Sequence, residues 1–299
     1  MVVETQAVAG RDRGAVKKRS QLKSIWFRYK KNKLAMFGLV LLAVLIIVAA
    51  AAPLIADYEE DAIRQDIRNR LKGPGQGHIF GTDQYGRDVF ARIIFGARIS
   101  LFAGLVSIGI SSVAGTIIGA VAGFYGGKVD NVLMRFMDIL LAIPSSLLAI
   151  SIVAALGPGL FNLLIAMSIS YIPQFSRIIR SSVLSIKNQE FIEAAVSYGT
   201  NDRRIILKHV IPNAMGPLLV QSTLSLARAI ILISSLSFLG LGIKPPMPEW
   251  GSMLADGKMQ MRRHPYLVVI PGFVIMLAVV ALNLIGDGLR DALDPRLKN

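Results

Sequence analysis

Six long apolar stretches, separated by shorter polar ones, dominate the pattern of this chain. They run at about Leu34–Ile55, Ile99–Phe124, Val132–Leu156, Leu160–Ile179, Pro217–Leu241 and Leu267–Ile285. Each has about 20–26 residues, which as a helix crosses a hydrocarbon core of about 30 Å. The fourth is the least regular, because Tyr171, Pro173 and Gln174 interrupt it. The pattern therefore predicts an all-α polytopic membrane protein with six transmembrane helices.

The composition agrees with a membrane protein and excludes several other classes. Of the 299 residues, 53% are hydrophobic and 17% are charged, whereas soluble domains carry about 25% charge. The 27 glycines have no triplet period, which excludes a collagen-like chain. The absence of cysteine excludes a disulfide scaffold, thiolate metal sites and cysteine nucleophiles.

The positions of the basic residues predict the orientation. With the N-terminus inside, twenty of the 33 Lys and Arg residues fall on the inner side and eleven on the outer side. This bias predicts that both termini are cytoplasmic. The net charge of +14 is then explained by topology and by attraction to anionic lipid, and a nucleic-acid-binding arm is disfavoured. Aromatic residues among the basic ones suggest an interfacial belt, namely Trp26, Phe27 and Tyr29.

The first apolar stretch resembles a signal peptide, since Ala50 and Ala52 could mark a cleavage site. However, the preceding basic region and the apolar stretch are both longer than in a signal peptide. We therefore expect a signal-anchor helix that stays in the protein. Residues 1–20 have few apolar groups, so we expect them to be disordered.

Motifs for catalysis and metal binding are missing. The string Gly126-Gly127-Lys128 is followed by Val129 where a Walker A loop needs Ser or Thr. The chain also lacks H-E-x-x-H and G-x-S-x-G. Three scattered histidines, His78, His209 and His264, are better explained as surface residues than as metal ligands. We expect no catalytic residue, no metal site and no enzymatic activity in this chain.

Few charged residues fall within the apolar stretches. Arg135 and Asp138 are three apart, so a local ion pair is the simpler interpretation and a relay the alternative. Arg228 lies near the middle of the fifth stretch and either lines a pathway or meets a structural partner, with Ser222 and Ser225 as weaker pathway candidates. These few groups, and the lack of an inverted repeat, disfavour a proton-coupled carrier.

Two features of the stretches predict helix geometry. Gly115, Gly119 and Gly123 are four apart and form a stripe that lets another helix approach closely. Pro144 removes a backbone hydrogen bond in the third stretch, which predicts a kink.

The segment 188–217 predicts two short cytoplasmic helices. The first runs from Gln189 to Tyr198 and stops at Gly199. The second runs from about Asn201 to Val210, with Thr200 or Asn201 as its cap, and Pro212 ends it. The first helix is too apolar for a free loop. Docking of a soluble partner is favoured over a re-entrant or membrane-lying helix, because charges flank the element.

This segment resembles the E-A-A signature of binding-protein-dependent ABC importer permeases. The matching residues are Glu193-Ala194-Ala195, then Gly199, then Ile211-Pro212. Four further strings, in the same order, are similar to the C-type subunits of dipeptide and oligopeptide permeases. They are GTDQYGRDVFARIIFGARISL (81–101), MRFMDILLAIPS (134–145), SFLGLGIKPPMPEWGSML (237–254) and GDGLRDALDPRL (286–297).

The resemblance implies a type I ABC importer permease core of five helices plus one N-terminal helix. The chain then divides into a basic cytoplasmic tail (1–33), the first helix with an extracytoplasmic segment (34–98), the core (99–285, with the coupling loop 180–216) and a cytoplasmic tail (286–299). Six residues would couple the permease to its ATPase: Glu193, Ala194, Ala195, Tyr198, Gly199 and Pro212.

The same resemblance implies the partners and the location. A second homologous permease subunit, two cytoplasmic ABC ATPases and an extracytoplasmic binding protein would complete the transporter in the cell membrane of a bacterium or archaeon. ATP and Mg²⁺ would be bound by the ATPases, and this chain would bind no cofactor. Di- or oligopeptides are the expected substrates, while nickel complexes, glutathione-like peptides or other solutes stay open. A secondary carrier and a receptor or scaffold are the alternative functions.

The outer segment before the second span predicts an amphipathic surface helix. Asp83/Arg87 and Asp88/Arg92 are acid-to-base pairs four apart, and Thr82 or Asp83 would cap the helix. Its apolar face would consist of Phe90, Ile93, Ile94 and Phe95. Structural support is the simpler role. Contact with the binding protein is the alternative, through Asp83, Arg87, Asp88 and, in the stiff proline-rich loop 245–250, Trp250.

Overall fold

The computed structural model describes residues 21–75 and 77–293, and the predictions for residues 1–20 and 294–299 lie outside it. The described residues form helices and no strand. In chain order these are α1 (Gln21–Lys31), α2 (Lys33–Ile55), α3 (Val89–Tyr125), α4 (Gly127–Leu141), α5 (Ser145–Leu156), α6 (Leu160–Lys187), α7 (Glu190–Ser197), α8 (Asp202–Ile205), α9 (Ile211–Phe238), α10 (Trp250–Gly257) and α11 (Tyr266–Leu293).

Four helical runs are long and apolar enough to cross a membrane: α2, α3, the continuous run Asp202–Phe238, and α11. The pair α4 and α5 makes a fifth if it forms one broken span. Helix α6 has 28 residues but is more polar and does not reach the same hydropathy. The structure therefore supports a multi-pass helical membrane protein with four or five such spans rather than establishing the six that were predicted.

The third predicted span bends at Pro144, as predicted, but the bend is a complete break. Helices α4 and α5 are bent by 84° relative to each other across residues 142–144. Pro144 has no N–H to donate, and its ring disfavours the helical conformation at Ile143. Two helices therefore replace the single kinked helix predicted over 132–156.

The glycine stripe brings α3 and α6 together, as predicted. A Cβ added at Gly115 would lie 2.4 Å from the Phe175 Cβ, and one at Gly119 would lie 2.4 Å from the Ser176 carbonyl oxygen. At Gly123 it would lie 2.9 Å from the Val183 Cβ. Only glycine permits so short a distance between the two helices, so α6 packs directly against the backbone of α3.

The segment 81–88 before α3 is a tight loop, so the predicted surface helix is wrong there. Its predicted apolar residues from Phe90 to Phe95 are helical, but they form the first turns of α3. The Asp83 carboxylate accepts the backbone N–H groups of Tyr85 and Arg87 at 2.8 and 3.0 Å, which favours a turn over a helix. Gly86 has a φ of +81° within this turn. Asp88, rather than Thr82 or Asp83, caps the helix by accepting the Ala91 N–H at 2.8 Å. Helix α3 then continues for 37 residues.

The first and last helices of the described part of the chain meet on one side of the bundle. Tyr29 of α1 is buried against Ala35 and Ala292, and its hydroxyl donates to the Ala35 carbonyl at 3.1 Å. Tyr29 is thus part of the packing and not of an exposed aromatic belt, unlike its neighbours Trp26 and Phe27, which are exposed. Gly288 lets α11 approach Ala35 closely, so α1, α2 and the end of α11 pack together.

Candidate coupling and translocation sites

Helix α7 is a short helix with a firmly defined end. Gly199 follows it with a φ of +69°, a conformation that costs an L-residue energy. The Thr200 N–H bonds the Ala195 carbonyl at 3.1 Å, and the Gly199 N–H bonds the Val196 carbonyl at 2.8 Å. These two bonds form a Schellman motif. The predicted helix and its stop at Gly199 are therefore both present.

The two sides of α7 differ sharply in burial. Ile192 is 2% exposed and belongs to the main apolar core together with Ile186 and Ile205. On the other side Phe191 and Tyr198 are 40% and 89% exposed. The remaining predicted coupling residues follow the same division: Glu193, Ala194 and Gly199 are exposed and Ala195 is partly buried. Helix α7 is held by the packing of its buried side and exposes apolar residues on the other. Such a surface is a candidate site for docking of a partner protein.

The chain after α7 does not stop at Pro212. Asn201 caps α8 by accepting the Arg203 N–H at 3.0 Å, and a π-helical turn (Ile206–Val210) leads directly into α9. Pro212 lies in the first turn of α9, where its missing N–H needs no partner. The prediction that Pro212 ends a helix is therefore wrong. Helix α7 is joined to α6 through two residues and to this long helical run through four.

Two ion pairs fasten α6 to α4. The Arg180 guanidinium donates two hydrogen bonds of 2.5 Å to the Asp130 carboxylate. Arg177 contacts Asp138 at 2.6 Å, so the local pair predicted between Arg135 and Asp138 is wrong. Because both basic residues belong to α6, these contacts are tertiary and hold α4 along its length.

One face of α9 carries two of the three predicted pathway residues, Ser225 and Arg228. The Arg228 guanidinium and the Gln221 amide both donate to the Ser225 hydroxyl, at 3.2 and 2.9 Å. Ser225 is buried, Arg228 is exposed, and Ser222 is partly buried on an adjacent face. The structure therefore brings Ser225 and Arg228 together. Arg228 lies within a candidate span, ten residues before its end at Phe238. A charged side chain exposed there needs water or protein beside it rather than lipid.

The same face of α9 continues into a groove of about 440 Å³ between α9, α10 and α11. Its lining includes Ile231, Ser235 and Phe238, which follow Arg228 at helical spacing. Gly272 of α11 leaves space on the opposite wall. The face thus changes from polar to mainly apolar towards the end of α9.

Comparison with known proteins assigns the chain to a family. The family of the binding-protein-dependent transport system inner membrane component matches residues 115–299. The chain belongs to this family. The N-terminal transmembrane domain of oligopeptide transport permease C matches residues 20–74. The chain is therefore a permease component, and the alternatives of a carrier or a receptor are set aside.

Relatives and solved structures agree with this permease family. The chain is 48% identical to the dipeptide transport system permease protein of Alkalihalophilus pseudofirmus, covering 90% of this chain and 88% of that one. It is 41% identical to the oligopeptide transport system permease protein of Bacillus subtilis, covering 92% and 91%. For the glutathione transport system permease protein of Escherichia coli O157:H7 the identity is 43% over 91% and 90%.

The fold is also found among solved transporters. The inward-facing MetNI methionine ABC transporter matches with a TM-score of 0.57 and 17% identity, covering 68% of this chain and 96% of that one. An amino acid ABC transporter with histidines matches with a TM-score of 0.52 and 14% identity, covering 67% and 94%. At such identities the likeness concerns the fold alone.

The loop before α3 contains a buried ionic cluster. Arg87 contacts Asp83 at 2.6 Å and Asp256 at 3.1 Å. Arg92 lies 3.6 Å from Asp83 and donates to the Ala62 carbonyl at 2.9 Å. The predicted Asp88/Arg92 pair is absent among the described contacts, because Asp88 instead contacts His78 at 2.7 Å. The cluster ties the loop before α3 to α10.

Most of the residues suggested for docking of the binding protein are buried in or near this cluster. Arg87 is 2% exposed, and Asp83 and Trp250 are also buried. The Trp250 indole donates to the Ile93 carbonyl at 3.1 Å, and the N-cap Glu249 accepts the N–H groups of Gly251 and Ser252 at 2.8 Å each. Burial raises the pKa of the Glu249 carboxyl. These contacts give the residues a structural role, and a binding-protein contact stays a prediction for this loop.

The sequence did not indicate three charged residues that form tertiary ion pairs: Asp130, Arg180 and Asp256. A signal existed for Asp256, which is the only acidic residue between Trp250 and Gly286 and lies opposite a loop with two clustered arginines. No comparable local signal links Asp130 to Arg180, because fifty positions separate them. The three histidines lie in separate places, and the described residues contain no group of three or more potential metal ligands.

Proposed function

We propose that this chain is a transmembrane permease subunit of an ATP-driven ABC importer for short peptides, and that α7 is its coupling helix. The observation that carries the proposal is the geometry of α7. It exposes Phe191, Ala194 and Tyr198 while Ile192 anchors it in the core. A surface of this kind suits the groove of a soluble partner, and the E-A-A resemblance suggests a cytoplasmic ATPase.

The short links on either side of α7 would transmit a displacement of α7 to the neighbouring helices. A partner that displaces α7 would act directly on α6 and on the run Asp202–Phe238, because only short links separate them. Helix α4 would follow α6 through the Asp130–Arg180 and Asp138–Arg177 ion pairs. The break at residues 142–144 would act as the hinge between α4 and α5. Rigid-body motion of helices is a common mechanism of conformational switching, and here it would open the path to one side of the membrane and close it to the other.

We assign the translocation path to the face of α9 that carries Ser225 and Arg228. A short peptide is zwitterionic at neutral pH, so its carboxylate would be attracted to an exposed guanidinium. The relatives named above transport a dipeptide, an oligopeptide and glutathione, which share a peptide backbone and at least one carboxylate. Peptides are therefore the substrate class proposed for this chain, without a preferred length.

The remaining parts of the transporter follow from the same family. The exposed face of α9 would be shared with a second permease subunit, two ATPases would supply the energy, and a binding protein would deliver the peptide from outside. Helix α6 would be the sixth span, since burial against α3 relieves it of contact with lipid. Both termini would lie in the cytoplasm of a bacterial or archaeal cell.

Paired glycine substitutions test the coupling helix. Gly199 and Gly216 both have open space around an added Cβ, but only Gly199 has a positive φ. In the reconstituted complex Gly199→Ala is expected to reduce ATP-driven dipeptide uptake about tenfold, a typical size for a coupling effect. Gly216→Ala is expected to transport normally. Normal uptake by Gly199→Ala, or equal losses in both variants, would refute the assignment of α7.

A further inference from the structure

Helix α1 has two chemically distinct sides. Its exposed side combines lysines with aromatic rings: Trp26 and Phe27 are about half exposed, and Lys23, Lys30 and Lys31 lie around them. The Lys31 ammonium lies 4.7 Å from the centre of the Phe27 ring. The sequence of the helix, QLKSIWFRYKK, contains no acidic residue.

The opposite side attaches α1 to the bundle. Tyr29 is 6% exposed and packs between Ala35 and the end of α11 at Ala292. The Asn32 amide, in the joint between α1 and α2, donates to the Asp291 carboxylate at 3.3 Å. Helix α1 therefore presents its basic side from a fixed position and is not a free tail.

Helix α1 directly adjoins a candidate membrane span. A single residue, Asn32, separates α1 from the candidate span α2, and its side chain caps α2 by accepting the Leu34 and Ala35 N–H groups. Immediately beyond the joint, Leu34 and Phe37 are exposed apolar side chains of that span. A helix with lysines and aromatic rings that adjoins a span in this way suits the depth where headgroups meet hydrocarbon.

We propose that the exposed side of α1 is a binding surface for anionic phospholipid headgroups. Lysines complement the phosphate charge, while Trp26 and Phe27 enter the boundary between headgroups and acyl chains. Lipid is favoured over a protein partner because this side adjoins the candidate span α2, whose exposed apolar residues Leu34 and Phe37 follow directly. Through Tyr29 and Asn32 the bound lipid would also fix the packing of α1 against α2 and α11.

Tryptophan quenching by brominated lipid tests the surface directly. The chain has two tryptophans, and Trp250 is fully buried whereas Trp26 is exposed. The full-length chain is reconstituted in vesicles of phosphatidylglycerol and phosphatidylcholine, with one or the other lipid brominated at equal mole fraction. Quenching by the anionic lipid is expected to be at least about twofold greater, since one lysine near an anionic surface favours association by roughly fivefold. A Trp26→Phe variant supplies the background.

Charge-matched variants provide the control. Changing Lys23, Lys30, Lys31 and Lys33 to Gln leaves six of the ten basic residues before the first span, which preserves the topology signal. This variant is expected to be quenched equally by both lipids. Changing the exposed outer residues Arg68, Arg70, Arg262 and Arg263 to Gln removes the same charge and is expected to keep the preference. Equal quenching of the wild type by the two lipids, or equal loss in both variants, would overturn the proposal.

Photo-crosslinking in the assembled transporter distinguishes lipid from protein. A photoreactive phenylalanine analogue is placed at position 26 and irradiated in native membranes. Crosslinking to phospholipid is expected. A crosslink to another subunit would show that protein covers this side of α1 and would overturn the proposal, whether or not the coupling role of α7 holds.

Discussion

Asp130 and Arg180 join α4 to α6 through two parallel hydrogen bonds of 2.5 Å. The Asp130 side chain is mostly buried, whereas the second pair between the same helices, Asp138 and Arg177, is about half exposed. The geometry of the first pair is bidentate, which is the arrangement in which such pairs have measurable strength. Together the pairs determine how α4 follows α6.

Breaking the Asp130–Arg180 pair is expected to uncouple ATP hydrolysis from transport more than it destabilises the fold. Asp130→Asn should lower stability by about 1 kcal/mol or less. It should reduce ATP-driven peptide uptake by about tenfold, because α4 no longer follows α6. The measurement is uptake and ATPase activity of the same reconstituted complex.

A charge swap and the second pair serve as controls for this experiment. Exchanging the charges in D130R/R180D should recover much of the lost uptake. Asp138→Asn should have a smaller effect, because its pair with Arg177 is more exposed to solvent. If the swap transports no better than Asp130→Asn, the pair does not act as a link.

Helix α3 offers two glycines with opposite expected effects on stability. Gly119→Ala places a methyl group 2.4 Å from the Ser176 carbonyl oxygen and is expected to cost about 1–3 kcal/mol. Gly109→Ala meets no atom within 4 Å and is expected to be neutral or slightly stabilising. Thermal unfolding followed by size-exclusion chromatography in detergent distinguishes them. Similar unfolding temperatures for the two variants would show that α3 and α6 are not in close contact.

The buried ionic cluster of the loop before α3 should be sensitive to the loss of one partner. Arg87→Met leaves the buried Asp83 carboxylate without its closest cation and is expected to destabilise the protein by about 3 kcal/mol. The double variant D83N/R87M removes both charges and should recover part of that loss. Arg64→Met breaks an exposed pair with Glu60 and should leave the unfolding temperature unchanged. Equal unfolding temperatures for Arg87→Met and Arg64→Met would contradict the burial of the cluster.

Glu249 should give the stability a specific pH dependence. Burial raises the pKa of this carboxyl, so the folded protein favours its protonated form. The corresponding stabilisation is complete below the ordinary carboxyl pKa and is lost as the pH rises through the raised pKa. The unfolding temperature of the wild type relative to Glu249→Gln should therefore fall as the pH rises from the ordinary carboxyl pKa of about 4 towards neutral pH. A difference that stays constant or grows over this range would be evidence against the raised pKa.

Local features of the fold were predictable because they depend on neighbouring residues. The glycine stripe at Gly115 and Gly119 predicted a close helix contact, and Gly199 predicted the end of α7 through its left-handed conformation. By contrast, Asp83 and Arg87 are four apart, a spacing that suits a helix, yet they pair across a turn. The spacing alone does not distinguish the two geometries.

Tertiary charge pairs could not be derived from spacing. Asp138 is three residues from Arg135, but its partner is Arg177, which the packing of α6 on α3 and α4 brings within 2.6 Å. The partner Asp256 of Arg87 lies 169 positions away. The effect of Pro212 was also misjudged, because a preceding π-helical turn places it in the tolerated first turn of α9.

Site-specific crosslinking tests the central claim that α7 docks on a cytoplasmic ATPase. The chain contains no cysteine, so Ala194→Cys and Tyr198→Cys each place a single thiol on the exposed side of α7. Arg262→Cys, exposed in the loop between α10 and α11, serves as the control. After labelling with a photoreactive maleimide, the purified complex is irradiated and the crosslinked subunit identified by mass spectrometry. Our account predicts crosslinks from positions 194 and 198 to an ATPase and none from 262. An intact complex in which neither α7 position reaches an ATPase would contradict it.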